Sequence, residues 1–152
     1  MKNYWLIKSE PDCYSIDDLK RDKKTAWTGV RNYQARNFMK DMRVGDLALF
    51  WHSNANPPSA VGTAMVVKEA YPDKTALDKK NDHFDPKHTE ARPMWYAVDF
   101  GFVSKFKEPL TLSQIKINPK LKGMLVTQTG SRLSIQPVSK EHFQTIQKLG
   151  KE

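Results

Sequence analysis

The sequence has 152 residues, one cysteine and a formal net charge of +8, from 25 basic and 17 acidic side chains. A chain of this length is expected to form one domain over residues 1–152, and its lone Cys13 excludes an internal disulfide framework. No apolar stretch is long enough for a signal-peptide core or a membrane span, so we expect a cytoplasmic monomer with no membrane partner.

The first half of the chain alternates short strands with capped helices. The aromatic and branched run at residues 4–8 predicts a strand, and residues 47–53 predict another. Ser15 begins an S-x-x-D capping box for a short helix, and Asn32 can cap a second helix whose apolar residues recur at helical spacing. Between these helices, residues 27–30 form a tight corner that contains a glycine.

The second half begins with a long strand predicted at residues 60–71, with a bulge near Gly62. Residues 72–93 are polar and too numerous for a simple loop, so we expect an excursion with some ordered structure. Residues 94–107 predict a further strand with partial alternation of apolar and polar side chains.

Near the C-terminus, Thr111 and Gln114 can cap a short helix, and residues 132–138 predict a last strand. Ser139 can cap a final helix that stops at Gly150. The pattern predicts an α+β fold with a small curled β-barrel or sheet of about five or six mainly antiparallel strands and peripheral short helices.

No catalytic motif is present: there is no phosphate loop, dinucleotide-binding fingerprint or nucleophile elbow. His83 and His88 flank Asp85 in the polar excursion, where a solvated loop explains them better than a metal site. Cys13 follows Asp12, whose negative charge makes a thiol less reactive. We therefore predict no catalytic residue, no metal and no cofactor.

The basic charge is unevenly distributed. Nine basic and three acidic residues lie from Lys105 onward, and a second cluster consists of Arg31, Arg36, Lys40 and Arg43. A basic surface attracts polyanions and accelerates their encounter, but lysine-rich faces also keep proteins soluble. Charge alone leaves both interpretations open.

Aromatic residues close to these charges favour nucleic acid as the partner. Most tryptophans fill cores, but Trp27 lies beside Gly29 in a turn with hydrogen-bond donors, so it is the least expected to be plain core. Neighbours on a strand point to opposite faces, so only one of Phe50 and Trp51 is expected to face the core, and the other a pocket, a helix or solvent. A base stacking on an aromatic wall gains roughly 1–3 kcal/mol, while phosphates need Arg or Lys.

Four longer motifs occur in order and span nearly the whole chain. They are YWLIKSEP at residues 4–11, WTGVRNYQARNFM at 27–39, GD and FWHS within 45–53, and RLSIQPVS at 132–139. On these motifs the sequence resembles the EVE domain family of the PUA-like superfamily. The resemblance implies a single PUA-like domain and a non-catalytic reader of one modified base. The candidate is 5-methylcytosine or 5-hydroxymethylcytosine in DNA, flipped into an aromatic cage.

The resemblance also implies two sets of site residues. The base pocket would comprise Lys8, Ser9, Glu10, Trp27, Gly29, Val30, Arg31, Asn32, Phe50, Trp51, His52 and Ser53. Phosphate contacts would come from Arg36, Lys40 and Arg132. The family commonly has tyrosine where Trp51 stands, and tryptophan keeps the stacking surface but moves the polar tip.

Two other functions remain open from the sequence. PUA-like domains commonly bind RNA, so an accessory protein of tRNA or rRNA fits the same charge. A small enzyme acting on modified nucleotides would need acid–base groups, for which Glu10, His52 and Asp85 are the candidates.

Overall fold

In a computed structural model, residues 2–128 and 132–150 are described, and they form one six-stranded mixed sheet with four α-helices. The strands are β1 Tyr4–Ser9, β2 Lys24–Trp27, β3 Leu47–His52, β4 Ser59–Pro72, β5 Tyr96–Thr111 and β6 Ile135–Val138. The helices are α1 Ile16–Asp22, α2 Tyr33–Asp41, α3 Leu112–Ile117 and α4 Lys140–Gly150.

The strand order across the sheet is β2-β5-β4-β3-β1-β6. Among the strands of the described residues, only β1 and β3 run parallel, and the other neighbouring pairs are antiparallel. Four register shifts interrupt the β4–β5 pairing, one of them at Gly62, and such irregularities bend and twist strands. The α+β prediction with mainly antiparallel strands is confirmed. Within the described residues the edge strands β2 and β6 do not pair, so the sheet is not a closed barrel.

Local capping signals predicted the helix starts correctly. Ser15 and Asp18 form a reciprocal capping box at α1, Asn32 accepts from the Ala35 N–H at α2, and Thr111 caps α3. Two differences are found in the strands. The short, mostly exposed β2 was not predicted, because its single buried residue gives no periodic signal. Residues 132–134 precede β6 and do not form part of it.

Helices cover both faces of the sheet, so two apolar clusters are formed. Phe50 packs in one cluster with residues of α1 and α2, and the next residue, Trp51, packs in the other with residues of α3 and α4. Trp51 thus faces helices, one of the predicted alternatives, but the prediction that only one of the two residues lies in the core is wrong. Alternation along β3 holds, but both directions lead into a hydrophobic interior.

A buried carboxylate fixes the parallel pair β1–β3. Asp46 accepts hydrogen bonds from the Asn3 backbone N–H at 3.1 Å, the Trp5 indole N–H at 3.1 Å and the Arg43 backbone N–H at 3.0 Å. The register then places Ser9 opposite His52. The carboxyl ends of β1 and β3 therefore lie side by side at one edge of the sheet.

The polar excursion is ordered, as predicted, and its contacts are largely polar. Asp73 caps a short 3-10 turn at Lys74–Ala76, and the Trp95 indole donates to Asp85 at 2.7 Å. His88 is only 2% exposed, and its Nδ1 accepts from the backbone N–H groups of Met94 and Trp95. The prediction of a solvated loop is therefore wrong for His88, which is a structural residue.

Within residues 2–128 and 132–150, none of the helices combines the length and the apolar character that crossing a membrane requires. The same residues contain no group of three or more His, Cys, Asp or Glu side chains suited to holding a metal ion.

Candidate functional site

A solvent-open cavity of about 600 Å³ lies where β1 and β2 end. This volume is within the range of small-molecule sites. Seven of the predicted pocket residues line it, namely Lys8, Ser9, Glu10, Trp27, Gly29, Val30 and Arg31. The first and second long motifs of the sequence are thus brought together at one cavity.

Trp27 belongs to the cavity and to the core at the same time. Its indole ring meets Phe50 and Phe100 edge-on, each at a centroid distance of 5.6 Å. The residue is 9% exposed, and that small exposed part lies on the cavity lining. Packing on two sides therefore holds the indole rigidly while one part stays accessible to a ligand.

The end of β1 provides the polar side of the cavity. Ser9 Oγ donates to the Tyr14 carbonyl oxygen at 2.6 Å, and Glu10 accepts from the Asn54 side-chain amide at 3.3 Å. Lys8 is half-buried, and this burial lowers the pKa of its ammonium group. The segment thus carries an amine, a hydroxyl and a carboxylate within three consecutive residues.

The opposite rim is fixed by the fully buried carboxylate of Asp73. It accepts from the Gly29 backbone N–H at 2.8 Å and from Arg31 Nη1 at 3.1 Å. Burial alone would raise the pKa of Asp73, but the hydrogen bonds from Gly29, Thr75 and Arg31 outweigh it and lower that pKa. Arg31 also donates to the His83 carbonyl oxygen at 2.6 Å, so its guanidinium joins the rim to the excursion.

Gly29 adopts a backbone conformation that an L-residue rarely takes, with φ of +79°. A Cβ there would also lie 2.7 Å from His83 Nε2. We expect Gly29→Ala to lower the free energy of unfolding by about 1–2 kcal/mol and to displace the His83 imidazole. Urea denaturation and the NMR resonances of the His83 ring would measure the two effects.

Gly45→Ala is the matched control for that variant, because Gly45 has φ of +97° and nothing within 4 Å of the added Cβ. It should show a similar loss of stability and leave the His83 resonances unchanged. Unchanged His83 resonances in Gly29→Ala would contradict the close packing of these two residues in the rim.

Five predicted pocket residues do not line the cavity. Phe50 and Trp51 are sealed in the two core clusters, so the prediction of a pocket role is corrected for both, whereas Asn32 is exposed and its side chain caps α2. His52 Nε2 accepts from the Ile16 backbone N–H at 3.1 Å, and burial lowers the pKa of this imidazole. Ser53 donates its backbone N–H to Ser9. Both residues therefore lie next to Ser9, which lines the cavity.

The three predicted phosphate contacts differ in their surroundings. Arg36 Nη1 donates to the Met94 carbonyl oxygen at 3.1 Å, and its guanidinium lies 5.0 Å from the Tyr33 ring centroid. Lys40 is exposed, with Nζ 5.0 Å from the Tyr96 ring centroid. Arg132 is exposed two residues from the cavity residue Ser134.

The cavity also contains residues that were not predicted, and they include Cys13, Tyr14, Thr25, His83 and Ser134. Ser134 lies within the last long motif, and that motif could have indicated it as a site residue. No pattern in the sequence indicated Tyr14 or Thr25. His83 comes from the excursion and reaches the site through a contact with Arg31, 52 residues away in sequence.

The sheet order, the flanking helices and the cavity define a PUA-like α+β domain with an open pocket where β1 and β2 end. The family model described as "EVE domain" matches residues 3–149. The chain therefore belongs to the EVE domain family, as its motifs predicted.

Known relatives resemble the chain over most of their length. Thymocyte nuclear protein 1 of Mus musculus is 44% identical over 165 residues, which cover 96% of this chain and 73% of the relative. A hypothetical protein from Leishmania major has a similar structure, with a TM-score of 0.94, 46% identity, and coverage of 99% of this chain and 96% of that one. Human THYN1 protein, solved in complex with 5-methylcytosine containing DNA, matches with a TM-score of 0.91, 40% identity and 99% coverage of both chains.

The relatives correct the expected localisation. The vertebrate proteins in mouse, human and chicken are named as nuclear proteins, which contradicts the prediction of a cytoplasmic protein. That prediction relied on the lack of a recognisable N-terminal targeting run, and such a run is not required for entry into a nucleus.

Proposed function

We propose that this protein is a non-catalytic reader that binds DNA and takes a single flipped, modified cytosine into the cavity beside Trp27. The observation that carries the proposal is an open cavity with an indole on one side and the polar end of β1 on the other. The similarity to human THYN1 protein, whose structure holds 5-methylcytosine containing DNA, supports cytosine as the base.

The geometry suits a planar heterocycle with polar edges. Stacking on an aromatic ring supplies roughly 1–3 kcal/mol per base, which offsets part of the few kcal/mol that flipping costs. Ser9, Glu10 and Lys8 offer hydrogen-bonding groups at the other side. Because an unpaired buried polar group costs about 1–3 kcal/mol, such groups reject a base whose edge does not match.

The acid–base groups that an enzyme would need each hold a hydrogen bond within the protein. His52 accepts from the Ile16 backbone, Asp85 accepts from the Trp95 indole, and Glu10 accepts from Asn54 at the cavity rim. The hydrogen bonds from Trp95 and the Lys87 backbone lower the pKa of Asp85, which suits a permanent acceptor. Because these groups already act as acceptors of structural hydrogen bonds, the site favours binding over catalysis.

The direct test compares duplexes that are identical except for one 5-methylcytosine, with an RNA of the same sequence as a third arm. Burying one methyl group gives about 0.8 kcal/mol, so we expect the modified duplex to bind roughly fourfold more tightly. Fluorescence anisotropy at one fixed salt concentration would measure the three dissociation constants.

Equal affinity for the modified and unmodified duplexes would contradict the proposal that the protein recognises the methyl group. Tighter binding of the RNA than of either duplex would contradict DNA as the partner. A duplex carrying 5-hydroxymethylcytosine, measured beside the other arms, then identifies which modification is preferred.

A further inference from the structure

Beside the cavity, aromatic rings and guanidinium groups form a layered cluster on the outer surface, which we name the Tyr33 stack. Its members are Arg31, Tyr33, Arg36 and Trp95. The rings of Tyr33 and Trp95 are stacked, with centroids 5.0 Å apart and an interplanar angle of 25°. The guanidinium carbon of Arg31 lies 5.5 Å from the Trp95 ring centroid, and that of Arg36 lies 5.0 Å from Tyr33.

The Tyr33 stack shares Arg31 with the cavity. Arg31 lines the cavity and its guanidinium lies over the ring of the almost completely buried Trp95, which in turn stacks with Tyr33. Tyr33 is 55% exposed although one face of its ring is covered by Trp95. More than half of Tyr33 is therefore in contact with solvent, with the guanidinium of Arg36 over its ring.

The ring of Tyr33 is also firmly positioned. Tyr33 begins α2 directly after the Asn32 cap. The Trp95 beneath it is held by its indole N–H on Asp85 at 2.7 Å and by its backbone N–H on His88 at 3.0 Å. An aromatic residue that is held in place and more than half exposed is a preorganised surface for stacking a second flat ring.

Cationic side chains lie on the same side of α2 as this ring. Residues 33, 36 and 40 are three and four positions apart, so they are neighbours along one face of the helix. Lys40 is exposed, and its Nζ lies 5.0 Å from the Tyr96 ring. A nucleobase on Tyr33 would therefore have positive charge within reach of its phosphate.

We infer that Tyr33 is a stacking platform for the nucleobase next to the one held in the cavity. This inference rests on the proposed function, because it needs a nucleic acid strand at the cavity mouth. Tyr33 then raises the affinity for every oligonucleotide, since every base has a flat face. Recognition of the modification remains the role of the cavity.

The test uses oligonucleotides with 2-aminopurine beside the modified cytosine, since the fluorescence of this base analogue changes when it stacks. We expect wild type and Tyr33→Phe to change the signal on binding. Tyr33→Leu, which keeps apolar mass on Trp95 without a flat face, should lose the change. Both Tyr33→Leu and Tyr33→Ala should bind the modified and unmodified oligonucleotides about tenfold more weakly, with the ratio between them unchanged.

Ile117→Ala is the control, because Ile117 is a highly exposed apolar residue on α3 that does not line the cavity. Its binding should equal that of wild type. Wild-type affinity in Tyr33→Leu and Tyr33→Ala would overturn the inference, as would a selective loss of the preference for the modified base. If wild type itself shows no such preference, the proposed function fails, while a tenfold loss on the unmodified strand still supports Tyr33 as a platform.

Discussion

Trp27→Ala is expected to lower the free energy of unfolding by about 3–5 kcal/mol, the usual cost of removing a large aromatic side chain from a core. The indole is 9% exposed and touches both Phe50 and Phe100, so its removal leaves a cavity that the sheet cannot easily close. Urea denaturation followed by circular dichroism would measure the loss. A loss below 1 kcal/mol would contradict the role of Trp27 in the core.

A milder change at the same position separates stability from binding. Trp27→Leu keeps apolar volume against Phe50 and Phe100 but removes the flat wall, so we expect it to lose the preference for 5-methylcytosine. Trp51→Leu is the matched control, because Trp51 is only 2% exposed and does not line the cavity. It should cost comparable stability and retain the preference. A preference lost in both variants would mean that general destabilisation explains it.

Asp73→Ala is expected to be the second most damaging change, with a loss of about 3 kcal/mol. The substitution leaves Arg31 without its buried counter-ion and the Gly29 N–H without its acceptor. It therefore weakens the fold and loosens the rim of the cavity together. Thermal and urea denaturation would measure the first effect, and anisotropy with the modified duplex the second.

Asp73→Asn and Asp12→Ala serve as controls for that variant. Asparagine keeps one acceptor oxygen, so Asp73→Asn should lower the free energy of unfolding by less than Asp73→Ala. The exposed Asp12 should tolerate alanine within about 0.5 kcal/mol.

Because the pKa of Asp73 is lowered by folding, its charge stabilises the protein above the unfolded pKa of about 3.9. That contribution is lost as pH falls through the folded pKa. The stability gap between wild type and Asp73→Asn should thus narrow below about pH 4, and a gap that widens there would contradict the lowered pKa.

Sequence reasoning succeeded where the determining interactions are local. A helix cap depends on hydrogen bonds between residues within four positions of each other. Ser15, Asn32 and Thr111 could therefore be assigned to helix starts from the sequence. Three of the long motifs also contained residues that line the cavity. Their resemblance to a family brought the end of β1 and the corner at Trp27 into one site, which periodicity alone could not have done.

The failures concern interactions between distant parts of the chain. Whether Trp51 faces a pocket or a core depends on α3 and α4, which follow it by 60 residues or more. His83 reaches the cavity through Arg31, and His88 is buried by the turn back toward Trp95. No periodic pattern in a polar segment indicates where it folds back, so these side chains could not be placed from the sequence.

The direction in which β1 crosses the sheet has a practical consequence for labelling this molecule. β1 starts at Tyr4 near the Asp46 anchor and reaches the cavity only at Lys8 and Ser9. Those two ends of the strand are roughly 17 Å apart at about 3.3 Å per residue. A fluorophore, affinity handle or surface tether attached before Tyr4 would therefore sit well away from the mouth where a DNA strand is proposed to dock.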